Sequence, residues 1–172
     1  PNPILIKNVI VIGGQPTAAG APDPNRPSLP GDIRGYDVRT GKLLWTFHTV
    51  PHEGEPGIET WENESWRTGG KTYTWNGFSG DEKLGYVYVP LSAATNDNYG
   101  GARPGDNLYS DSLVAIDVTT GKKVWHFQTV HHDLWDYDIP SPPMLADIKV
   151  NGRLRKAAIQ VTKTAYVFAF DR

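Results

Sequence analysis

Cysteine is absent from this chain, which excludes a disulfide framework, a thiolate metal centre and a cysteine nucleophile. Long apolar runs are also missing: no stretch reaches the roughly eighteen residues that a membrane-spanning helix needs, and no charged-then-apolar leader opens the chain. Neither sign of charge dominates, since 17 basic and 19 acidic residues leave a net charge of -2. The basic residues form no run or stripe that could track a phosphate backbone, so nucleic acid is not an expected partner. Helical periodicity is scarce as well. What the chain does have is 18 glycines, 14 prolines and 6 tryptophans in 172 residues, a composition that favours short strands joined by turns and predicts an all-β fold.

Internal repetition organises these strands. Residues 37–50 (DVRTGKLLWTFHTV) and 117–130 (DVTTGKKVWHFQTV) agree at nine of fourteen positions. Each copy follows a short apolar strand, 33–36 or 113–116, turns through Thr-Gly, and enters an alternating strand ending in Trp-x-Phe. That pattern is a β-hairpin whose turn requires Gly41 or Gly121 at a positive φ. A third copy begins at Tyr166 to Arg172 (YVFAFDR). The equivalent aspartates, Asp37, Asp117 and Asp171, lie 80 and then 54 residues apart, a spacing suited to four-stranded propeller blades with insertions. Residues 13–30, rich in Pro, Gly and Ala, form a loop, and residues 52–71 carry most of the longer insertion. Three blades cannot close a ring, so the chain is expected to be a slice of one propeller domain over 1–172. One nearly whole blade, from about Trp75 to Val130, would lie between partial blades and bury its faces against the remaining blades of the same propeller.

At this level the residues carry a resemblance. Ala115, Asp117, Thr120, Gly121 and Trp125 match the tryptophan-docking motif of the eight-bladed quinoprotein dehydrogenases, enzymes that use pyrroloquinoline quinone (PQQ), and the first copy keeps the pattern through Trp45 with Gly35 in place of the alanine. His131-His132-Asp133-Leu134-Trp135-Asp136-Tyr137-Asp138 is similar to the segment that bears the catalytic aspartate in the membrane-bound glucose-dehydrogenase-like branch. The resemblance implies about three blades of an eight-bladed propeller and oxidation of an alcohol or aldose. Two electrons would pass to PQQ and then to ubiquinone or a cytochrome, in the periplasm.

Carried over residue by residue, Asp136 matches the general base that accepts the substrate hydroxyl proton. Lys163, in Val-Thr-Lys-Thr, matches a lysine that contacts the quinone oxygens and would stabilise negative charge developing there. Trp75 matches the tryptophan on whose ring the flat cofactor lies. Thr95 matches a cofactor and calcium position, and Asn96 and Asp97 beside it could add oxygens for a hard cation. The other calcium ligand of the family is acidic, whereas here the loop reads Gly14-Gln15-Pro16-Thr17-Ala18 with no carboxylate before Asp23. Gln15, a backbone carbonyl or Asp23 would have to supply that oxygen. Arg34 is a further candidate for a PQQ carboxylate.

Each of these residues also has a plainer reading. A loop aspartate commonly caps backbone amides, a lone strand lysine is commonly solvated, a propeller tryptophan commonly packs between blades, and Arg34 suits a surface ion pair. His131, His132, Asp133 and Asp138 are expected to be scaffold that orients the base. The competing function is a non-enzymatic propeller of the same repeat type that binds other proteins, and a sugar-binding module would rest on composition alone. The joint presence of Trp75, Asp136 and Lys163 favours the dehydrogenase.

Overall fold

The computed structural model describes residues 2–14, 31–67 and 71–172 and contains three antiparallel sheets in chain order. The first holds β1 (Ile4–Ile6), β2 (Val9–Gly13), β3 (Ile33–Asp37) and β4 (Leu43–Phe47); the second holds β5 (Ser79–Asp81), β6 (Tyr86–Pro90), β7 (Ser112–Asp117) and β8 (Lys123–Gln128). The third holds β9 (Met144–Val150), β10 (Arg153–Val161) and β11 (Val167–Asp171). Each sheet is a meander of neighbouring strands, the blade of a propeller, and the three do not close a ring. The partial propeller expected from the repeats is therefore present. The first blade corrects one expectation, because β1 supplies the fourth strand through the hairpin pairing Ile4 with Val11 and Ile6 with Val9.

The repeated hairpins form as their chemistry requires. In the first, Asp37 Oδ1 accepts the backbone N–H groups of Arg39 and Thr40, and Gly41 at φ +69° donates its N–H to Asp37 O at 2.9 Å. The second repeats this with Asp117, Thr119, Thr120 and Gly121 at φ +71°. An aspartate side chain that mimics a turn acceptor and a residue free to take positive φ together set the register. Both hairpins carry a register shift at the same place, between Gly35 and Tyr36 and between Ala115 and Ile116.

Blade packing explains why β6 and β7 read as nearly continuous apolar runs. Val87, Val89, Val114 and Ile116 meet Ile6, Val11, Ile33 and Phe47 of the first blade in one core cluster. Their alternate neighbours, Tyr88, Leu113 and Ala115, pack with Ile139 and Ala158 toward the third blade. Because side chains alternate across a strand, a middle blade with both faces covered must be apolar at nearly every position. Each fully buried aliphatic side chain contributes about 1.5–3 kcal/mol. The docking tryptophan stitches the first seam: Trp45 donates its Nε1 hydrogen to Val118 O at 2.7 Å and lies against Gly121, where a Cβ would fall 2.5 Å from the ring.

The long interval between repeats is filled at two places rather than one. Residues 48–67 and 71–78 lie between the first blade and β5 and include 3₁₀ segments at Ile58–Thr60 and Glu62–Arg67. Residues 91–111, between β6 and β7, form a second excursion with a 3₁₀ turn at Gly100–Ala102 that sequence patterning left unmarked. These excursions, with the 129–143 connection from the second blade to the third, build the candidate site.

Candidate active site

Two extended segments lie side by side to make one wall. Ser92 donates its N–H to Tyr73 O at 2.9 Å and its Oγ accepts the Tyr73 N–H at 3.1 Å; Thr95 Oγ1 accepts the Lys71 N–H at 3.0 Å. Thr72 and Thr74 are buried, so the alternation that hides them turns Tyr73 and Trp75 the other way. Trp75 is 38% exposed, which leaves ring surface for a ligand. Asn76 and Ser79 donate to the carbonyls of Pro140 and Pro143, pinning this wall to the connection that follows Asp136.

The opposite wall is the His131–Asp138 loop, and its scaffold residues hold it in detail. His132 Nδ1 donates to Gly105 O at 2.8 Å, and His131 faces Asp106 at 3.5 Å. Asp133 is fully buried; its two carboxylate oxygens accept the N–H groups of Trp135 at 2.9 Å and Tyr137 at 2.6 Å, one on either side of Asp136. Asp136 itself takes φ +59°, a left-handed conformation that aspartate tolerates better than most residues, and its side chain is 43% exposed. The loop therefore leaves the Asp136 carboxylate partly exposed on the Lys163 side while its backbone is tied down behind it.

Lys163, in the turn between β10 and β11, brings the walls together. Its ammonium donates to Asp136 Oδ2 at 3.0 Å, to Asp136 O at 2.9 Å and to Asp138 Oδ2 at 3.0 Å, and it stands 6.0 Å from the centre of the Trp75 ring. Asp138, placed among the scaffold on sequence grounds, is thus a direct partner of Lys163, and its other oxygen accepts the Ala93 N–H at 2.6 Å. Burial works against the charged lysine, but the carboxylates of Asp138 and Asp136 outweigh it and raise its pKa above the usual lysine value. Burial raises the pKa of Asp138 despite the Lys163 and Ala93 hydrogen bonds. Asp97 is raised too, first by burial and then by the negative charge of Asp136. The Tyr73 phenol is raised by burial and by Asp138, Asp97 and Asp136, which places it in the same field of charge.

Of the residues singled out in the sequence, Asp136, Lys163 and Trp75 converge, and the field of Asp136 reaches Asp97 beside Thr95 and Asn96. Arg34 is committed elsewhere, in a 3.1 Å ion pair with the buried Asp32. Gln15 and Asp23 lie outside the described residues. Among the described residues no group of three or more His, Asp or Glu side chains is arranged to hold a metal ion. The donors present nevertheless suit a hard cation, because Thr95 and Asn96 offer neutral oxygens beside carboxylates whose mutual repulsion a cation would relieve. An exposed indole face beside a lysine suits a flat anionic quinone.

Two contributors escaped sequence reasoning. Tyr73 could have been found from the alternation of Thr72 and Thr74 with Tyr73 and Trp75. Arg103, wholly buried between the walls, carries no local signal, since an arginine in a Gly/Pro-rich loop ordinarily reads as solvated.

Comparison with known proteins is consistent with this arrangement. The family model for the glucose/ethanol/alcohol dehydrogenase β-propeller domain of PQQ proteins matches residues 1–172. Over 95% of its length the chain is 43% identical to quinoprotein glucose dehydrogenase A of Acinetobacter calcoaceticus, and over 99% it is 39% identical to quinoprotein glucose dehydrogenase of Escherichia coli strain K12. It spans about a fifth of the length of these relatives, 20% and 21% respectively. The solved structure of quinohemoprotein alcohol dehydrogenase ADHIIG from Pseudomonas putida HK5 superimposes with a TM-score of 0.82 at 30% identity, covering 99% of this chain and 25% of that one. The docking tryptophan, the three blades and a match over the whole chain lead to one conclusion: this chain belongs to the β-propeller family of PQQ-dependent glucose, ethanol and alcohol dehydrogenases.

Proposed function

We propose that this chain supplies part of the active site of a PQQ-dependent dehydrogenase that oxidises an alcohol or an aldose sugar. The observation that carries the reading is the Lys163 ammonium held by Asp136 and Asp138 in front of the Trp75 ring. Bound PQQ supplies a two-electron acceptor, and a hard cation such as calcium beside it supplies electrophilic pull. Trp75 is the floor for the cofactor, Lys163 its charge partner, and Thr95 with the Asn96 side chain the oxygen donors for the cation. Asp136 takes the hydroxyl proton of the substrate, and its 43% exposed carboxylate is accessible to a small molecule. Lys163, 3.0 Å from Asp136 Oδ2, holds that carboxylate in place beside the Trp75 ring. Ubiquinone or a cytochrome in the periplasm is the final acceptor in this reading, and other blades complete the substrate pocket.

The test uses the full-length protein stripped of cofactor. Addition of PQQ with calcium should give saturable absorbance changes and dye reduction with a panel of alcohols and aldoses. Absence of both PQQ binding and PQQ-dependent turnover would overturn the reading and leave the protein-binding scaffold in its place.

A further inference from the structure

Besides Lys163 and Asp138, one fully buried side chain bridges the two walls of the site. Arg103 follows the 3₁₀ turn at Gly100–Ala102 and is completely buried. One of its terminal nitrogens donates to Asn96 O at 3.1 Å and to Asp133 O at 2.5 Å. The other donates to Asn107 Oδ1 at 2.8 Å, and the Asn107 amide donates back to Arg103 O at 2.9 Å. We propose that Arg103 is a positioning residue that sets the separation between the Thr95–Asp97 cofactor segment and the Asp133–Asp138 base loop.

Three features favour this role over simple packing. Both backbone acceptors belong to residues adjacent to site groups: Asn96 lies between Thr95 and Asp97, and Asp133 is the residue whose carboxylate brackets Asp136. A buried guanidinium is costly to desolvate, and because the Arg103 Nε has no partner, that cost is offset through the two terminal nitrogens and their contacts to Asn96, Asp133 and Asn107. The guanidinium spends one terminal nitrogen on both walls and the other on Asn107, and a lysine ammonium, a single nitrogen on a flexible stem, cannot keep all three contacts in one fixed plane. Burial lowers the pKa of Arg103 below the usual arginine value, opposed by the carboxylates of Asp111, Asp133 and Asp97, and the group remains charged at any pH at which the enzyme would work. The base and the cofactor segment must hold their geometry to a fraction of an ångström for proton removal to be efficient, and a 1 Å displacement costs on the order of 100-fold in rate.

The inference rests on the proposed dehydrogenase reading, and the experiment separates the two. Full-length wild-type, Arg103→Lys and Arg103→Gln proteins are loaded with PQQ and calcium, and turnover is measured per PQQ-occupied site well below each protein's melting temperature. We expect kcat per occupied site to fall on the order of 10- to 100-fold in both variants. Amide exchange in segments 96–99 and 133–138 should accelerate together, while β6 and β7 keep their protection. Wild-type kcat per occupied site in either variant, or acceleration confined to one segment, would overturn the positioning role and leave Arg103 as ordinary packing. Should neither variant fold, exchange in the wild type decides: segments 96–99 and 133–138 should open with one common free energy, and unrelated opening energies would overturn the proposal. A wild-type protein without PQQ-dependent turnover defeats the dehydrogenase reading instead, while the exchange measurements still judge the link between the walls.

Discussion

Lys163 and Asp138 form a 3.0 Å ion pair in which the carboxylate is nearly buried and, through its second oxygen, also fixes the backbone of Ala93. The lysine is therefore tied to the segment that leads into Thr95 as well as to Asp136. Asp138→Asn, with its amide oxygen on the Ala93 N–H, removes the charge and the Lys163 hydrogen bond together, since its NH2 then faces the ammonium. A lysine whose pKa is raised keeps its charged interactions below its ordinary pKa and loses them as pH rises through the raised value. Removing the Asp138 charge lowers that value, so the alkaline limit of PQQ binding should move to lower pH, as titration of cofactor absorbance against pH would reveal. An unchanged limit would dissociate Asp138 from the function of Lys163.

Asp136 and Asp133 sit in one loop in different settings, the first 43% exposed and the second buried. Asp136→Asn keeps the shape and loses the basicity, so turnover of the PQQ-saturated enzyme should fall about 10²- to 10⁴-fold with cofactor still bound. Asp133→Asn places an amide donor against the N–H of Trp135 or Tyr137, which should lower the melting temperature and raise the PQQ concentration needed for saturation. Its loss of saturated turnover should be much the smaller. Equal losses of kcat at saturation in the two variants would remove Asp136 as the base.

Trp75→Ala deletes the exposed ring beside Lys163. Stacking acts on the bound cofactor throughout the cycle, so the variant should need more PQQ for half-saturation while kcat at saturation falls less. Equilibrium titration of the stripped full-length protein measures this directly, and unchanged affinity would return Trp75 to a packing role.

Asp111 is fully buried, accepts a 2.6 Å hydrogen bond from Ser110 Oγ, and has its pKa pushed up to about 8, chiefly by burial. Between its ordinary value and that raised one the folded state holds a proton that the unfolded chain releases, so this group lowers stability as pH rises from about 4 to about 8. Asp111→Asn cannot ionise. Melting temperatures of the full-length protein recorded from pH 5 to 9 should therefore decline less in the variant than in the wild type, and parallel curves would contradict the assignment.

Gly35 faces Trp45 across the β3–β4 hairpin, where an added Cβ would fall 2.2 Å from the ring. The second hairpin holds Ala115 opposite Trp125 at the equivalent register. Gly35→Ala should push the Trp45 indole away from Val118 and Gly121 and destabilise the seam by about 1–3 kcal/mol, readable by urea denaturation. The departure of the first repeat from the motif is thus a packing requirement of its own tryptophan.

Blade number, hairpin register and the docking of Trp45 were legible in the sequence because they are local and repeated: an Asp-x-x-Thr-Gly turn dictates its hairpin, and alternation dictates which faces are covered. Asp136, Lys163 and Trp75 were singled out only through resemblance, since nothing within reach of each residue along the chain distinguishes it from a solvated aspartate, lysine or packing tryptophan. Their meeting depended on three excursions from three parts of the chain, and contacts of that separation leave no periodic trace. The same holds for the Lys163 pair with Asp138 and for the burial of Arg103 between Asn96 and Asp133. The sequence by itself determined the repeating blade; which polar groups lose their water, and therefore which charges must find one another, was decided only when the blades and their connecting loops packed together.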